Sequence, residues 1–369
     1  MKIDSIEIFR VAIPMIETFR CACGDEDAVG TVLVRMSSDG LYGWGESSPG
    51  QYPGYCGEWD GGQFMVTREF LAPRLIGSDI QSGEELQERL SVYKGNNFAK
   101  AALDLAWWDL YAKSRGLPLW KALGGRGDTA VVGTGSGVLD SIETLLERIR
   151  RVIDDGYTRM KLKYMPGWEL DMLSAVRRAF PDITLHIDCN SAYTLDDLPV
   201  LRQLDQYNLA MVEQPLMNDD LADHAKLHRE ISTPICLDES VTSPDKARKA
   251  IEMGACQYIN IKPGRVGGLT NAVAIHNIAR EANIPCWVGG MLESAVGVAH
   301  NTAMATLPNI RYPSDIPVSK SHFHEDLARP ETVLSAPSQM TAQPGPGIGV
   351  EPVPDRLEKM TIERAILRA

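Results

Sequence analysis

Five charged residues recur at almost equal intervals in the second half of the chain, each at the end of a short apolar segment. They are Lys163, Asp188, Glu213, Asp238 and Lys262, and successive members stand 25, 25, 25 and 24 residues apart. Such an interval is the length of one strand, one helix and two short connections. The charges therefore mark equivalent positions at the carboxyl ends of successive parallel strands.

Strand-like and helix-like segments alternate from residue 130 onward. The strand candidates are short and nearly continuously apolar: 130–136, 158–163, 183–188, 209–213, 235–238, 257–262 and 285–289. Helical patterns lie between several of them, at 141–154, 221–231, 244–253 and 269–281. Repeating units of this kind predict a parallel sheet, and about seven or eight of them favour a closed β/α barrel over an open sheet.

The first part of the chain has a different pattern, in which strands come first and helices follow. The strand candidates are 2–14, 30–36 and 41–47, and the helical patterns are 64–75, 82–92 and 97–115. This order indicates a small α+β domain. We therefore predict an α/β fold in three parts: an α+β capping domain (1–128), a modified TIM barrel of the (β/α)7β type (129–325), and a C-terminal segment that packs back on the cap (326–369).

Composition excludes several classes of partner. The net charge of -12 and the pI near 5.1 argue against nucleic acid and against an anionic membrane. No apolar run approaches the ~18 residues of a membrane span, and the first residues lack a signal-peptide pattern. The chain has seven cysteines, an odd number, and no Cys-x-x-Cys pair. This pattern indicates reduced thiols. We expect a cytoplasmic protein whose partner is a small molecule.

Three of the five charges are carboxylates that would converge on one point. Asp188, Glu213 and Asp238 end adjacent strands, and without compensation they would repel one another strongly. A divalent cation resolves this conflict. Ligands that are all oxygen suit Mg²⁺, or Mn²⁺, rather than Zn²⁺.

The two lysines of the series end strands that stand four apart, which places them on opposite walls of an eight-stranded barrel. A substrate between them would have one amine over each face, which suits removal of a proton on one side and its return on either. Lys161 points to the same side of its strand as Lys163. A nearby cation and partial burial favour the neutral amine, in which form Lys163 would act as a base, while Lys161 would polarise the substrate or contact its carboxylate.

Longer motifs surround these residues, and together they resemble the muconate-lactonising branch of the enolase superfamily. Within that branch the chain is most similar to the o-succinylbenzoate synthase / N-succinylamino-acid racemase family. The resemblance covers most of the chain and is densest in these segments: Met-Lys-Leu-Lys (160–163), Ile-Asp-Cys-Asn (187–190), Val-Glu-Gln-Pro-Leu (212–216), Pro-Ile-Cys-Leu-Asp-Glu-Ser (234–240), Asn-Ile-Lys-Pro-Gly-Arg-Val-Gly-Gly (260–268) and Val-Gly-Gly-Met-Leu-Glu-Ser (288–294).

This resemblance implies an enzyme that removes the α-proton of a carboxylate substrate by way of an enediolate. A lysine base beside one or two Mg²⁺ ions is an established pattern of the superfamily. The resemblance implies Lys163 and Lys262 as acid and base, the three carboxylates as metal ligands, and Asn190 and Glu239 as their supports. It also implies cap loops near 16–26 and 47–60 that close the site, and a homo-oligomeric assembly. The expected substrate pocket comprises Tyr52, Tyr55, Gly135, Gly290, Met291, Glu293 and Ser319.

The sequence departs from that family at two places near the expected pocket. Gly135 stands where the family usually carries Ser, and 314–319 replaces a Gly-Asp-Thr-Ser-Ala-Ser loop. Racemisation of an N-acylamino acid and synthesis of o-succinylbenzoate both fit the catalytic residues, as do epimerisation of a dipeptide and cycloisomerisation of a muconate. A Schiff-base aldolase or a non-catalytic barrel are alternatives of another class. The mandelate-racemase pattern is disfavoured, because no His follows the seventh strand.

Overall fold

Three strands at the start of the chain form an antiparallel sheet with the last strand, which lies at one edge beside the first strand. The computed structural model describes residues 1–21, 24–137, 139, 141–167 and 169–369, without the side chains of residues 21 and 169. The strands of this sheet are β1 (Ser5–Cys21), β2 (Gly24–Ser38), β3 (Leu41–Ser47) and β15 (Thr361–Arg368). Since β15 pairs along β1, the C-terminal segment completes the sheet of the cap.

The β1–β2 hairpin is longer than the sequence predicts. Past Pro14 the two strands continue as an arm, in which Phe19 pairs with Glu26 and Arg20 with Asp25. The segment near 16–26 is therefore largely strand, so the expectation of a loop was wrong about its conformation. The arm is held by backbone pairing between the two strands, which the pattern of apolar side chains does not reveal.

Helices of the cap follow the sheet and largely match the sequence patterns. Each begins or ends within a few residues of its expected bounds: α1 (Asp60–Val66), continued by a π turn (Thr67–Leu71) and a 3-10 turn (Ala72–Arg74), α2 (Gly83–Leu90), α3 (Asn97–Ser114) and the short α4 (Leu119–Ala122). The Ser82 hydroxyl accepts a hydrogen bond from the Glu85 N–H and so caps α2. Most of α3 is buried, as its alanine-rich sequence leads one to expect.

Eight parallel strands form the barrel. In chain order they are β4 (Thr129–Ser136), β5 (Arg159–Lys163), β6 (Thr184–Asp188), β7 (Val212–Glu213), β8 (Ile235–Leu237), β9 (Tyr258–Ile261), β10 (Cys286–Val288) and β11 (Ser314–Asp315). Consecutive strands pair from β4 to β10, and β11 pairs with β4. A parallel bridge between Gly289 and Asp315 brings β10 and β11 together, so the ring is nearly closed. This is the predicted modified TIM barrel.

Helices connect the barrel strands on the outside. They are α5 (Ile142–Asp154), α6 (Glu169–Ala179), α7 (Leu198–Leu201), α8 (Leu221–Leu227), α9 (Pro244–Glu252), α10 (Pro263–Val266), α11 (Leu269–Glu281) and α12 (Ala295–Ala305). Ser141 and Ser243 cap α5 and α9 with their hydroxyls, and Pro244 begins α9 at a position that needs no N–H. No helix among the described residues is long and apolar enough to cross a membrane.

The C-terminal segment contacts both the barrel and the cap. Its short elements are β12 (Ala328–Arg329), β13 (Gln339–Thr341), β14 (Glu351–Pro352) and α13 (Pro354–Met360). β13 pairs antiparallel with β4 of the barrel, and β12 pairs with β14. The segment joins the two domains before its last strand enters the cap sheet.

Two carboxylates of the cap bind the beginnings of barrel helices and fix the cap on the barrel. Within the cap itself β3 packs closely on α3, because a Cβ added at Gly43 or Gly45 would lie within 2.3 Å of the α3 backbone. Glu46 accepts hydrogen bonds from the Ser294 N–H at 3.0 Å and the Gly297 N–H at 2.8 Å, at the beginning of α12. Asp104 of α3 accepts from the Thr270 N–H at 3.1 Å, at the beginning of α11. Negative charge is favourable at both helix N-termini.

Glu46 makes the stability of this contact depend on pH. Burial raises the pKa of Glu46 to about 7, although the donors of Ser294 and Gly297 oppose that rise. The folded state therefore binds the proton more tightly than the unfolded state, and ionisation of Glu46 reduces stability as pH rises from the unfolded pKa through about 7. We expect the stability advantage of wild type over Glu46→Gln to shrink by up to about 3 kcal/mol between about pH 5 and about pH 8.

Urea unfolding of both proteins across that range measures the difference at each pH. The comparison isolates Glu46, because every other titrating group is common to the two chains. Parallel curves for wild type and variant would contradict the assignment.

Candidate active site

Three carboxylates meet at the carboxyl ends of adjacent barrel strands. Asp188 ends β6, Glu213 ends β7 and Asp238 directly follows β8. All three are buried, and one oxygen of each lies within 4.8 Å of the others. Asp238 Oδ2 is buried without a hydrogen bond from the described residues, although Lys262 Nζ is 2.9 Å away. An oxygen cluster of this size and charge fits a divalent cation.

Lysine ammonium groups surround this cluster. Lys161 Nζ lies 2.8 Å from Asp188 Oδ2 and 3.0 Å from Glu213 Oε2, and Lys163 Nζ lies 2.8 Å from Asp188 Oδ2. Burial would lower the pKa of Lys161, but Asp188 and Glu213 outweigh it and raise that pKa above its usual value. The same balance lowers the pKa of Glu213, which burial alone would raise. The protonation state of each group in the site thus depends on the charges of its neighbours.

Lys262 lies on the opposite side of the ring from Lys163. Four strand-to-strand steps separate β5 from β9 in either direction around the eight strands, and Lys262 follows β9 directly. Its pKa is raised: burial opposes the rise, and the neighbouring groups, among them Tyr55 and Glu239, cause it. The two lysines therefore face the cavity from two walls.

Amide side chains hold the ends of these strands in place. Asn190 donates its backbone N–H to Asp188 Oδ1 at 3.0 Å, accepts from Lys163 Nζ at 2.6 Å, and donates Nδ2 to Glu239 Oε1 at 2.8 Å. Its φ of 42° lies in the left-handed region that Asn tolerates better than most residues. Gln214 accepts the backbone N–H of Asp238 at 3.0 Å. These contacts orient two of the three carboxylates.

The cap reaches the carboxylates through Tyr55. Its hydroxyl donates to Asp238 Oδ1 at 3.1 Å, and Lys262 Nζ lies 4.6 Å from the centre of its ring. Arg265 donates to the Tyr55 hydroxyl at 3.3 Å and also contacts Asp238. Arg265 is itself buried, against a carboxylate of the site.

A cavity between cap and barrel opens on these groups. Of the expected residues, those that line it are Lys161, Lys163, Lys262, Asn190, Tyr52, Tyr55, Gly135, Gly290 and Met291. Glu293 and Ser319 lie behind its wall. There Glu293 accepts the Met291 N–H at 2.7 Å, and the Ser319 hydroxyl donates to Asp326 at 2.6 Å. Glu239 is also buried behind the lining.

Several further cavity residues were not singled out in the sequence. Phe19 and Glu26 come from the 16–26 segment that was expected to close the site, Asp315 comes from the 314–319 segment, and His322 follows that segment. Asp315 is paired with the buried Arg159, whose Nη1 lies 3.3 Å from Asp315 Oδ1.

The fold and the site together define a β/α-barrel enzyme with a carboxylate centre flanked by lysines under a capping domain. Residues 5–124 match the mandelate racemase / muconate lactonizing enzyme N-terminal domain, and residues 144–356 match the enolase C-terminal domain-like family. The chain belongs to the mandelate racemase / muconate lactonizing enzyme family of the enolase superfamily, whose members use a divalent metal.

Three relatives illustrate the range of activities in this family. An N-succinylamino acid racemase of Thermus thermophilus is 42% identical over 369 residues, which is 100% of both chains. An o-succinylbenzoate synthase of Geobacillus kaustophilus is 45% identical over 331 residues, which is 89% of this chain and 88% of that one. The structure of a dipeptide epimerase from Cytophaga hutchinsonii, complexed with Mg and the dipeptide D-Ala-L-Val, has a TM-score of 0.92 at 26% identity and covers 100% of both chains.

Replacement of Lys161 tests the charge balance of the site. In the presence of a chelator, Lys161→Met leaves Glu213 and Asp188 without their shared ammonium group. Because an uncompensated buried charge is strongly unfavourable, we expect the free energy of unfolding to fall by about 3 kcal/mol. Denaturant titration of the metal-free proteins measures this change.

Lys320→Met is the matched control. Lys320 lies 3.4 Å from Asp155 with a side chain that is 72% exposed, and such a surface pair contributes no more than about 1 kcal/mol. Equal losses in the two variants would show that the buried carboxylates do not depend on Lys161.

Proposed function

We propose that this protein racemises N-acylamino acids, and N-succinylamino acids in particular, by proton transfer at the α-carbon. The observation that carries the proposal is the pair Lys163 and Lys262, which face one cavity from opposite walls beside a buried carboxylate cluster. The similarity to an N-succinylamino acid racemase along the whole chain supports the substrate class.

Asp188, Glu213 and Asp238 would hold the cation, for which we propose Mg²⁺, with Mn²⁺ as a substitute. The donors are all oxygen, and such ligands suit these hard ions. When bound, the cation offsets the charge of the carboxylates, which favours a neutral lysine, and stabilises the negative charge that develops on the substrate carboxylate as the α-proton leaves.

The proton transfers and the binding of the substrate are carried out by side chains of this protein. Lys163, as a neutral amine, removes the α-proton from one face of the substrate, and Lys262, as an ammonium group, returns a proton to the other face. In the reverse direction the two lysines exchange roles. Lys161, on the same strand as Lys163, also lines the cavity and is placed to contact the substrate carboxylate. Tyr52 and Tyr55 of the cap cover the cavity and limit access of water.

A second activity, dehydration to o-succinylbenzoate, is supported by the relative from Geobacillus kaustophilus. That reaction also begins with loss of an α-proton, so one lysine of the pair would suffice for it. The presence of the second lysine on the opposite wall favours racemisation as the main reaction.

We further infer that the enzyme works in the cytoplasm as a homo-oligomer, with 1–128, 129–325 and 326–369 as its three parts. Five cysteines, Cys56, Cys189, Cys236, Cys256 and Cys286, are free thiols, as is usual in a reducing compartment. Cys23 and the side chain of Cys21 lie outside the described residues. Light scattering after size exclusion measures the assembly, and a monomeric mass would contradict it.

Metal dependence is the first test. We expect N-succinylamino acids to exchange their α-proton for deuterium in D₂O, and a chelator to abolish that exchange until Mg²⁺ is restored. NMR of the α-proton measures the exchange even where net conversion is slow. A panel of N-acylamino acids and dipeptides separates racemase from epimerase. Undiminished exchange in chelator would contradict the proposed function.

Replacement of either lysine tests the two-base assignment. We expect Lys163→Ala and Lys262→Ala each to lower racemisation by at least about a hundredfold, because one proton transfer then has no donor or acceptor. Each variant should retain α-exchange of the one enantiomer whose proton faces the remaining lysine. Polarimetry and NMR measure the two quantities, and circular dichroism checks the fold. A fully active single variant would remove that lysine from the mechanism.

A further inference from the structure

A polar pair inside the barrel, His186 and Tyr312, lies directly behind Glu213. His186 is the third residue of β6, and its side chain is fully buried in the barrel interior. Its Nε2 lies 3.3 Å from Glu213 Oε2, and its Nδ1 lies 2.9 Å from the Tyr312 hydroxyl. Neither residue lines the substrate cavity. Any role in the reaction must therefore pass through Glu213.

The direction of these hydrogen bonds follows from the chemistry of the groups. An ionised carboxylate only accepts hydrogen bonds, so His186 Nε2 must carry a hydrogen and donate it to Glu213. In the neutral imidazole Nδ1 is then an acceptor, and the Tyr312 hydroxyl donates to it. Tyr312 thus selects the tautomer of His186 that binds Glu213. The Trp287 ring, 5.4 Å from that of His186, holds the imidazole from a second side.

The second oxygen of Glu213 is also held. Asn260 of β9 donates Nδ2 to Glu213 Oε1 at 2.8 Å, and both residues are fully buried. With His186 on Oε2 and Asn260 on Oε1, the carboxylate is held from within the barrel, while Lys161 Nζ lies 3.0 Å from Oε2. A carboxylate held in this way needs no reorganisation when it binds a cation.

We propose that Tyr312 and His186 form a positioning relay that orients Glu213 and thereby strengthens cation binding at the Asp188–Glu213–Asp238 centre. This inference rests on the proposed function, because it assumes that the centre binds a divalent cation. Neither residue exchanges a proton with the substrate. Their effect is on the affinity of the site for the ion.

The first experiment titrates the metal-free protein with Mn²⁺ and follows free Mn²⁺ by electron paramagnetic resonance, with no substrate present. Tyr312→Phe keeps the ring and removes the hydroxyl that selects the tautomer of His186. We expect the Kd for Mn²⁺ to rise about tenfold. Tyr258→Phe is the matched control, because the Tyr258 ring packs 6.0 Å from that of Tyr312 but makes no hydrogen bond to His186 or Glu213 in the described structure. Its Kd should equal that of wild type.

The second experiment replaces His186 itself. His186→Leu removes the donor to Glu213, and we expect it to weaken Mn²⁺ binding by about ten- to a hundredfold. His186→Gln should remain within about threefold of wild type, because its amide N–H₂ can donate to Glu213. Circular dichroism and thermal unfolding check the fold of each variant. If His186→Leu does not fold, Tyr312→Phe and His186→Gln decide the question.

The possible outcomes distinguish a failure of the relay from a failure of the proposed function. A wild-type protein that binds no Mn²⁺ would overturn the proposed function and the relay with it. A wild-type protein that binds Mn²⁺, with the same Kd in Tyr312→Phe and Tyr258→Phe, would overturn the relay alone. A folded His186→Gln that binds as weakly as His186→Leu would do the same, since a hydrogen bond would then not account for the effect.

Discussion

Three carboxylates buried at one point of the barrel require positive charge close by. Asp188, Glu213 and Asp238 are held within 4.8 Å of one another in a protein interior, where like charges repel strongly. Their attraction for cations explains why Lys161, Lys163, Lys262 and Arg265 all point into the same small volume. Amide groups complete the surroundings of the cluster: the Asn190 backbone N–H donates to Asp188, the Asn260 side chain donates to Glu213, and Gln214 accepts the backbone N–H of Asp238.

The barrel and the cap contribute to this centre in different ways. The barrel supplies the charges from the ends of rigid strands, so their separations are fixed by strand spacing. The cap supplies Tyr52, Tyr55, Phe19 and Glu26 from an arm and a loop, which close the cavity from above. A scaffold of this kind separates the common chemistry from the choice of substrate, and it accounts for a family that includes a racemase and a synthase at similar identity to this chain.

Much of the fold and the core of the centre could be predicted from the sequence, because both follow from a repeat. Charges that end apolar strands at intervals of 24 or 25 residues predict both the barrel and the end of the barrel at which the site lies. His186 carried no such signal, since it stands within an apolar strand and its partner Tyr312 is 126 residues away. The β1–β2 arm was missed for a related reason: it is stabilised by backbone pairing, which leaves little trace in the pattern of side chains. The sequence alone could not show which distant residues contact one another.

Glu46 and Asp104 have a consequence for how molecules enter and leave. If the cap separated from the barrel as a rigid lid, both carboxylates and the amides at the beginnings of α12 and α11 would lose their hydrogen-bond partners. The cost would be about 1–3 kcal/mol for each buried group. The described part of the arm and the loop that carries Tyr55 contact the barrel elsewhere: Ile16 donates its N–H to the His322 carbonyl, Glu17 pairs with Arg148, and Tyr55 donates to Asp238. Glu17 and Arg148 form an exposed pair that is inexpensive to break, so movement of the arm alone opens the cavity at a lower free-energy cost than movement of the whole cap.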